Sequence, residues 1–261
     1  MGGGFVAAWW WWRDLIDSLS DRRCPGCVGR VGREREVCDA CDAMVPRSGS
    51  VLCLHCLHED APDPASPVGA CRAHGSRRLA LAGPRYEPPL DRILHAFKYD
   101  GARRLAPWIA SLLPEPPDRA GAVGRETVLV PVPLHPARRA WRGFDQALLL
   151  AEDASLRWGI PVVQALERVL DHEPQARLDP ALRRANVRGA FRVVRPTLVR
   201  DRPVLLVDDV VTTGSTLLEA AGALEAAGPS WILGLSPTHG GLAEWPEPVS
   251  QGAVVGDGRL W

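Results

Sequence analysis

Two adjacent acids, Asp208 and Asp209, end the apolar run Pro203-Val204-Leu205-Leu206-Val207 and precede Val210-Val211-Thr212-Thr213-Gly214-Ser215-Thr216. Hydroxyls and N–H groups of such a Thr/Gly/Ser loop, set at the positive end of a helix dipole, suit one phosphate. Asp208 and Asp209 would repel that phosphate, so they face another part of the ligand. Vicinal hydroxyls of a sugar, or a Mg²⁺, fit that role. The chain has neither G-x-x-x-x-G-K-[ST] nor G-x-G-x-x-G, which excludes a P-loop and a dinucleotide fingerprint.

A second set of chemistry-bearing residues is the ladder Cys24-x-x-Cys27, Cys38-x-x-Cys41, Cys53-x-x-Cys56 and Cys71-x-x-His74. Each pair has the spacing of a zinc knuckle, and two knuckles complete a tetrahedral Zn²⁺ site. Sequential pairing gives Cys24, Cys27, Cys38 and Cys41, then Cys53, Cys56, Cys71 and His74. A ribbon of Cys38, Cys41, Cys53 and Cys56, with the outer pairs joining or left empty, is equally readable. With every ligand from protein, the zinc is structural. His55 and His58 read as exposed loop histidines.

A third set is Arg138, Arg139 and Arg142, read as a loop spanning Leu134 to Arg142 after the strand Thr127 to Pro133. Guanidinium forks there match pyrophosphate oxygens or form a solvated basic face.

The elements that must position these groups alternate in the α/β manner. Pro203–Val207 reads as a buried strand of a parallel sheet, and open sheets of this kind bind ligands at the carboxyl ends of their strands. The following helix, Leu217 to Leu224, is closed by Gly228. Leu90, Ile93, Leu94 and Phe97 form one helical face stopped by Gly101, and Leu105, Trp108, Ile109 and Leu112 form the next. A helix is expected over Phe144 to Trp158 with Gly159 as its cap. Strands are expected at Val162 to Leu170, Phe191 to Val194 and Trp231 to Leu235, and a short helix at Ala181 to Val187 behind Asp179-Pro180. Trp11 to Leu19 has helical spacing, whereas Trp9-Trp10-Trp11-Trp12 fits either packing or a membrane interface.

The formal net charge of the 261 residues is zero, which argues against non-specific nucleic-acid affinity from bulk charge. Lys98 is the only lysine, so positive charge is nearly all arginine. No apolar run reaches the roughly 18 residues of a membrane span. The N-terminus lacks the basic region and cleavage site of a signal peptide. Cysteines in CxxC pairs then mean metal rather than disulfides, and a cytoplasmic location is expected.

The run from the two acids to Thr212-Thr213-Gly214-x-Thr216 resembles the phosphoribosyl-pyrophosphate (PRPP) signature of type I phosphoribosyltransferases. Together with the cysteine ladder, other segments resemble the ComF family. These are Tyr86-x-x-x-Leu90…Phe97-Lys98-Tyr99-x-Gly101, Val130-Pro131-Val132-Pro133-Leu134…Arg142-Gly143-Phe144-Asp145-Gln146-Ala147 and Gln175…Arg183…Asn186-Val187-x-Gly189-Ala190-Phe191. The resemblance covers about residues 12 to 238. It implies a phosphoribosyltransferase-like parallel sheet flanked by helices behind a double zinc ribbon, in a family some of whose members serve the uptake of transforming DNA.

It further implies PRPP and Mg²⁺ as ligands, Asp208 and Asp209 as catalytic carboxylates on the ribose side, and Val210, Val211, Thr212, Thr213, Gly214, Ser215 and Thr216 as the PRPP loop. Arg138, Arg139 and Arg142 fall on the pyrophosphate side, and His172 and Gln175 on a flap over it. Asp145 departs from the Asn usual in the family, and Leu170 and His172 stand where an Arg and a Thr are expected.

The expected organisation is a leader to residue 20, a double zinc ribbon over 21–76, the phosphoribosyltransferase-like domain over 77–240 and a tail from 241. The rival expectation is a non-catalytic cytoplasmic factor that handles single-stranded DNA with a helicase partner, contacting it through Arg22, Arg23, Arg30, Arg33 and Arg35, where stacking aromatics are scarce.

Overall fold

The computed structural model describes residues 22–32, 34–57, 71, 77–116, 124, 126–170 and 189–240. In chain order the elements are α1 (Asp39–Met44), β1 (Ser50–Cys53), β2 (Leu79–Ala82), α2 (Leu90–Tyr99), α3 (Ala106–Ala110), β3 (Val128–Pro131), α4 (Pro136–Arg142), α5 (Gln146–Trp158), β4 (Leu166–Arg168), β5 (Phe191–Val193), β6 (Pro203–Val207), α6 (Ser215–Glu225) and β7 (Trp231–Ser236). The main sheet has the order β1-β2-β7-β6-β3. β2, β7, β6 and β3 run parallel, and β1 adds an antiparallel edge, with Ser50 opposite Ala82 and Cys53 opposite Leu79.

The near-continuous apolar runs of β3 and β6 follow from burial on both faces. Side chains alternate across the sheet. Leu129, Leu205, Val207, Leu233 and Leu235 join one core with Ile93, Phe97, Ile109 and Leu150 from α2, α3 and α5. Val128, Val130, Val204 and Leu206 join the other with Leu217, Ala220 and Leu224 of α6. The expected face of α2 is the buried one, and Gly101 takes the left-handed conformation after it (φ 67°).

The described residues of the cysteine-bearing segment share the cores of the main sheet. Cys24, Val37 and Cys41 are buried in the same cluster as Ile93 and Phe97. Arg92 Nη1 donates to Gly26 O (2.9 Å), and Trp108 Nε1 donates to Asp42 Oδ1 (2.7 Å). β1 is a strand of the main sheet, so the expected division at 76/77 runs through a ladder of hydrogen bonds.

Three expectations are corrected. Residues 136–142 form a helix rather than a loop: His135 is the N-cap, Pro136 occupies the first turn, and Gly143 closes it at φ 77°. The stretch Val162 to Leu170 is strand only at Leu166–Arg168, which pairs antiparallel with Phe191–Val193 in a separate two-stranded sheet. α5 begins at Gln146 instead of Phe144, because the Asp145 side chain accepts from Leu148 N and caps the helix there. The expected leader, the helix at 181–187 and the tail lie outside the described residues.

Candidate functional site

The carboxyl ends of β2, β7, β6 and β3 face one rim of the sheet, and Asp208 and Asp209 leave it from β6. Asp208 N donates to Leu235 O (2.9 Å), and Asp209 N donates to Asp208 Oδ1 (2.8 Å). Burial, then the neighbouring Asp209 charge, pushes the Asp208 carboxyl up to about 7, against the pull of the Asp209 N–H, Lys98 and Arg168.

Lys98 Nζ lies 3.0 Å from Asp209 Oδ1, both side chains being mostly covered. Tyr86, whose hydroxyl donates to Asp91 O (3.2 Å), is pushed up to about 12 by burial and by the negative charges of Asp91, Tyr99 and Asp209. The chain's only lysine is therefore paired with the acid pair, and Tyr86 lies within reach of the Asp209 charge. Lys98 and Tyr86 stand in segments readable from the sequence, but their approach to Asp209 is made through space and leaves no local pattern.

Beyond the acids the chain turns through Val211, buried and donating to Thr238 O (3.1 Å). Thr213 Oγ1 and Ser215 Oγ lie 2.8 Å apart. Gly214 adopts φ 69° at the N-cap of α6 and offers no side-chain cap. The first-turn N–H groups of a helix have no intrahelical acceptor, so this end is suited to an anion. A Cβ at Gly214 would stand 2.7 Å from Leu54 O and 3.3 Å from Leu57 Cδ2. The loop is thus packed against the Cys53–Cys56 turn.

Of the expected pyrophosphate ligands, Arg142 turns back on its own neighbourhood. Its guanidinium stacks over Tyr99 (5.2 Å) and donates to Gln146 Oε1 (3.1 Å). Arg139 is exposed and lies near enough to favour the charged form of Asp145. Arg138 is half-buried on the same helix. Arg168, on β4, favours the charged form of Asp208 while stacking over Phe191 (5.5 Å). His172 and Gln175 lie outside the described residues.

Asp145 is a structural carboxylate: Oδ2 accepts from Leu134 N (3.0 Å) and Oδ1 from Leu148 N (3.2 Å). One asparagine oxygen cannot replace both in this arrangement. Asp145→Ala strips both acceptors, and a loss of about 1–3 kcal/mol is expected in urea unfolding.

A phosphoribosyl transferase domain family matches residues 157–243, the span that carries β6, the acids, the loop and α6. DNA utilization protein YhgH of Salmonella typhimurium is 33% identical over 179 residues, 66% of this chain and 77% of that protein. Competence protein F of Haemophilus influenzae is 31% identical over 156 residues, 58% of this chain and 68% of that protein. The chain belongs to the ComF family. Its phosphoribosyltransferase-type fold agrees with the mixed sheet and flanking helices. A solved allosteric regulatory enzyme of purine biosynthesis is similar at 20% identity and a TM-score of 0.33, over 53% of this chain and 26% of that one.

The ComF-family cysteines fall into two groups. Cys24, Cys27, Cys38 and Cys41 form one, and Cys53, Cys56 and Cys71 the other, with ligand atoms within 4.8 Å of one another in each. This is the sequential arrangement; the ribbon of Cys38, Cys41, Cys53 and Cys56 is not formed. The turns after Cys24 and Cys53 are alike. Val28 N donates to Cys24 O (2.8 Å) and Leu57 N to Cys53 O (2.7 Å), with Val28 and Leu57 left-handed at φ 64° and 56°.

A Cβ at Gly26 would meet Cys41 Sγ at 2.9 Å, so only glycine leaves room for that thiol. Four convergent sulfurs suit Zn²⁺, with Zn–S of about 2.3 Å. Burial pushes the Cys53 thiol up to about 11, and thiols must lose their protons to ligate. In the second group Cys56 Sγ and Cys71 Sγ are 3.8 Å apart. His74, expected as its fourth ligand, lies outside the described residues. Among the described residues no helix is long and apolar enough to cross a membrane.

Proposed function

We propose that this chain binds PRPP with Mg²⁺ and transfers its phosphoribosyl group to an acceptor. The observation that carries this reading is the uncapped start of α6, entered through left-handed Gly214 directly behind two carboxylates at the end of β6. Thr212, Thr213, Ser215 and Thr216, with the N–H groups of α6, hold the 5′-phosphate. Asp208 and Asp209 hold the ribose hydroxyls. The same carboxylates are hard oxygen donors of the kind Mg²⁺ takes, and the ion, when bound, supplies charge neutralisation between ribose and pyrophosphate.

The C1–oxygen bond to pyrophosphate breaks with its electron pair leaving on the pyrophosphate. An acceptor lone pair then forms the new bond to C1, and the acceptor loses its proton. Val210 and Val211 set the loop backbone, and Arg138 and Arg139, with Lys98 and Arg168, offer positive charge for the leaving group, which Arg142 joins only by giving up its contacts with Tyr99 and Gln146. His172 and Gln175 are assigned to the flap over it. Zn²⁺ on the two cysteine groups, with His74 completing the second, is structural.

The acceptor is assigned to a cleft of about 310 Å³ at the same rim, whose lining includes Ser50, Arg85, Glu87 and His239. A role in the handling of DNA, in the cytoplasm, is in keeping with the names of the relatives, DNA utilization protein and competence protein.

Calorimetric titration of PRPP with Mg²⁺ into the zinc-loaded protein tests this reading. Saturable binding that disappears in Asp208→Asn/Asp209→Asn is expected; no heat with the unmodified protein would overturn it.

A second reading, a factor that binds single-stranded DNA, is favoured by one observation. His95, Tyr99 and Trp141 form an exposed aromatic row, with ring centroids 4.8 and 6.2 Å apart, beside Arg139 and Arg142. Exposed rings among arginines are the stacking-and-charge pattern of single-strand binders. In this reading the strand, and any helicase that hands it on, meets α2 and α4 rather than the acid pair. Oligo(dT) is then expected to quench Trp fluorescence, with at least a fivefold loss of affinity in Trp141→Ala and none in Asp208→Asn. Equal affinity in the parent and Trp141→Ala would discard it.

A further inference from the structure

The contact between Gly214 and the Cys53–Cys56 turn joins a metal-binding group to the middle of the phosphate loop. The loop has two supports. On one side Val211 N donates to Thr238 O and Gly240 N to Val211 O (2.8 Å), an extension of β7. On the other, Leu54 and Leu57 lie against Gly214 so closely that a Cβ there would overlap the Leu54 carbonyl. Leu54, 2% exposed, belongs to the same core as Val211 and Leu217, and Leu57 packs against that core. This second support comes from a segment far earlier in the chain, and its own shape is the less secure of the two.

Leu57 is a bulky residue in the left-handed region, a conformation that persists only where the surroundings impose it. The surroundings are local. Leu57 N donates to Cys53 O, Leu54 N donates to Arg78 O (2.9 Å), and Cys53 and Cys56 bracket the turn with their thiols converging on Cys71. A metal held by those thiols fixes Cys56 next to Leu57. Without it the turn keeps β1 but loses the tether on its far side, and Leu57 is free to relax away from Gly214.

We propose that Leu57, held by metal at Cys53, Cys56 and Cys71, is a positioning residue for the phosphate loop, so that metal occupancy of this second group sets the affinity for the 5′-phosphate. It acts through Gly214 and touches no substrate. The proposal rests on the reading of residues 212–216 as a phosphate site. It concerns the 5′-phosphate end alone, because the charged groups assigned to the pyrophosphate stand on α2, α4 and β4 rather than on this turn.

Leu57→Ala removes the Cδ2 contact and leaves every thiol in place. Its zinc content and melting temperature are expected to stay near those of the parent. Affinity for ribose 5-phosphate, a probe with no pyrophosphate, is expected to fall about tenfold, while affinity for Mg²⁺-pyrophosphate is unchanged. Amide hydrogen exchange at residues 212–216 is expected to quicken. Leu57→Met, which refills the space, is expected to restore both. Cys56→Ser is expected to lose metal from the second group only and to show the same pattern, more strongly. If Cys56→Ser does not fold, the Leu57 pair stands alone as the test.

Unaltered ribose 5-phosphate affinity and unaltered exchange in Leu57→Ala would overturn the proposal. So would an equal loss for both probes, which marks general loosening. Failure of the unmodified protein to bind ribose 5-phosphate or PRPP would instead remove the reading of the loop, and exchange at 212–216 would still report whether the turn supports it.

Discussion

Asp208→Asn is expected to make the ligand-free protein more stable at neutral pH while removing its response to PRPP and Mg²⁺. Burial and the Asp209 charge raise the folded-state pKa of Asp208 to about 7, whereas in the unfolded chain it returns to about 3.9. The folded protein therefore holds the proton more tightly. Its stability is greatest below the unfolded pKa, falls as pH rises from about 4 to about 7, and levels off above. Asparagine stays neutral throughout, and its side-chain oxygen keeps the bond from Asp209 N.

The variant and parent should melt together near pH 4. They should diverge to about 2–8 °C at pH 8, which corresponds to about 1–2 kcal/mol after allowance for solvent screening. Mg²⁺ should narrow that gap by stabilising the parent only. A parent that becomes more stable between pH 5 and 7 relative to Asp208→Asn would contradict the assignment. That divergence would mark the acid pair as a place where the fold gives up stability to keep two carboxylates together at a strand end, as binding sites do.

Gly83→Ala should be the most damaging single methyl in the described sheet. A Cβ there would stand 2.2 Å from Pro237 O and 2.5 Å from Leu112 O, both backbone atoms that cannot step aside alone. Gly83 N also donates to Ser236 O (2.9 Å), so displacement breaks the β2–β7 junction from which Thr238 and His239 support the loop. A loss of at least about 3–4 kcal/mol is expected in denaturant unfolding. Gly222→Ala is the control. It lies inside α6 with no atom closer than 4.0 Å to the added carbon, and a gain of about 0.5–1 kcal/mol is expected from helix propensity alone. Comparable losses at both positions would mean that the tight junction at Gly83 is not what sets its cost.

Much of this layout was legible along the chain. The apolar runs of β3 and β6, the face of α2, the acid pair and the cysteine pairs each carry a local pattern. β1 and β2 do not. They are short, one ends in a cysteine of the second group, and β2 takes its parallel partner from Trp231–Ser236, at the other end of the chain. The helix bearing Arg138, Arg139 and Arg142 was signalled by Pro136 and Gly143, but its residues are rich in charge and none is buried, so no apolar stripe marks it. The approach of Lys98 to Asp209, and of Tyr99 to Trp141, depends on which helices meet at the rim, and that is set by packing rather than by spacing in sequence.

β1 has one more consequence, for how the protein behaves when its N-terminal third is lost. A sheet edge is a row of open donors and acceptors that invites another strand. β1 occupies that row on β2, whose four residues are three-quarters fully buried and entirely apolar. A chain cut at residue 76 would display β2 as a bare hydrophobic edge, and its failure would be recorded as clumping, filament seeding or poor recovery instead of as a cleanly folded phosphoribosyltransferase-type remainder. The cysteine segment is to this extent a built-in chaperone for the sheet, synthesised before the strand it shields.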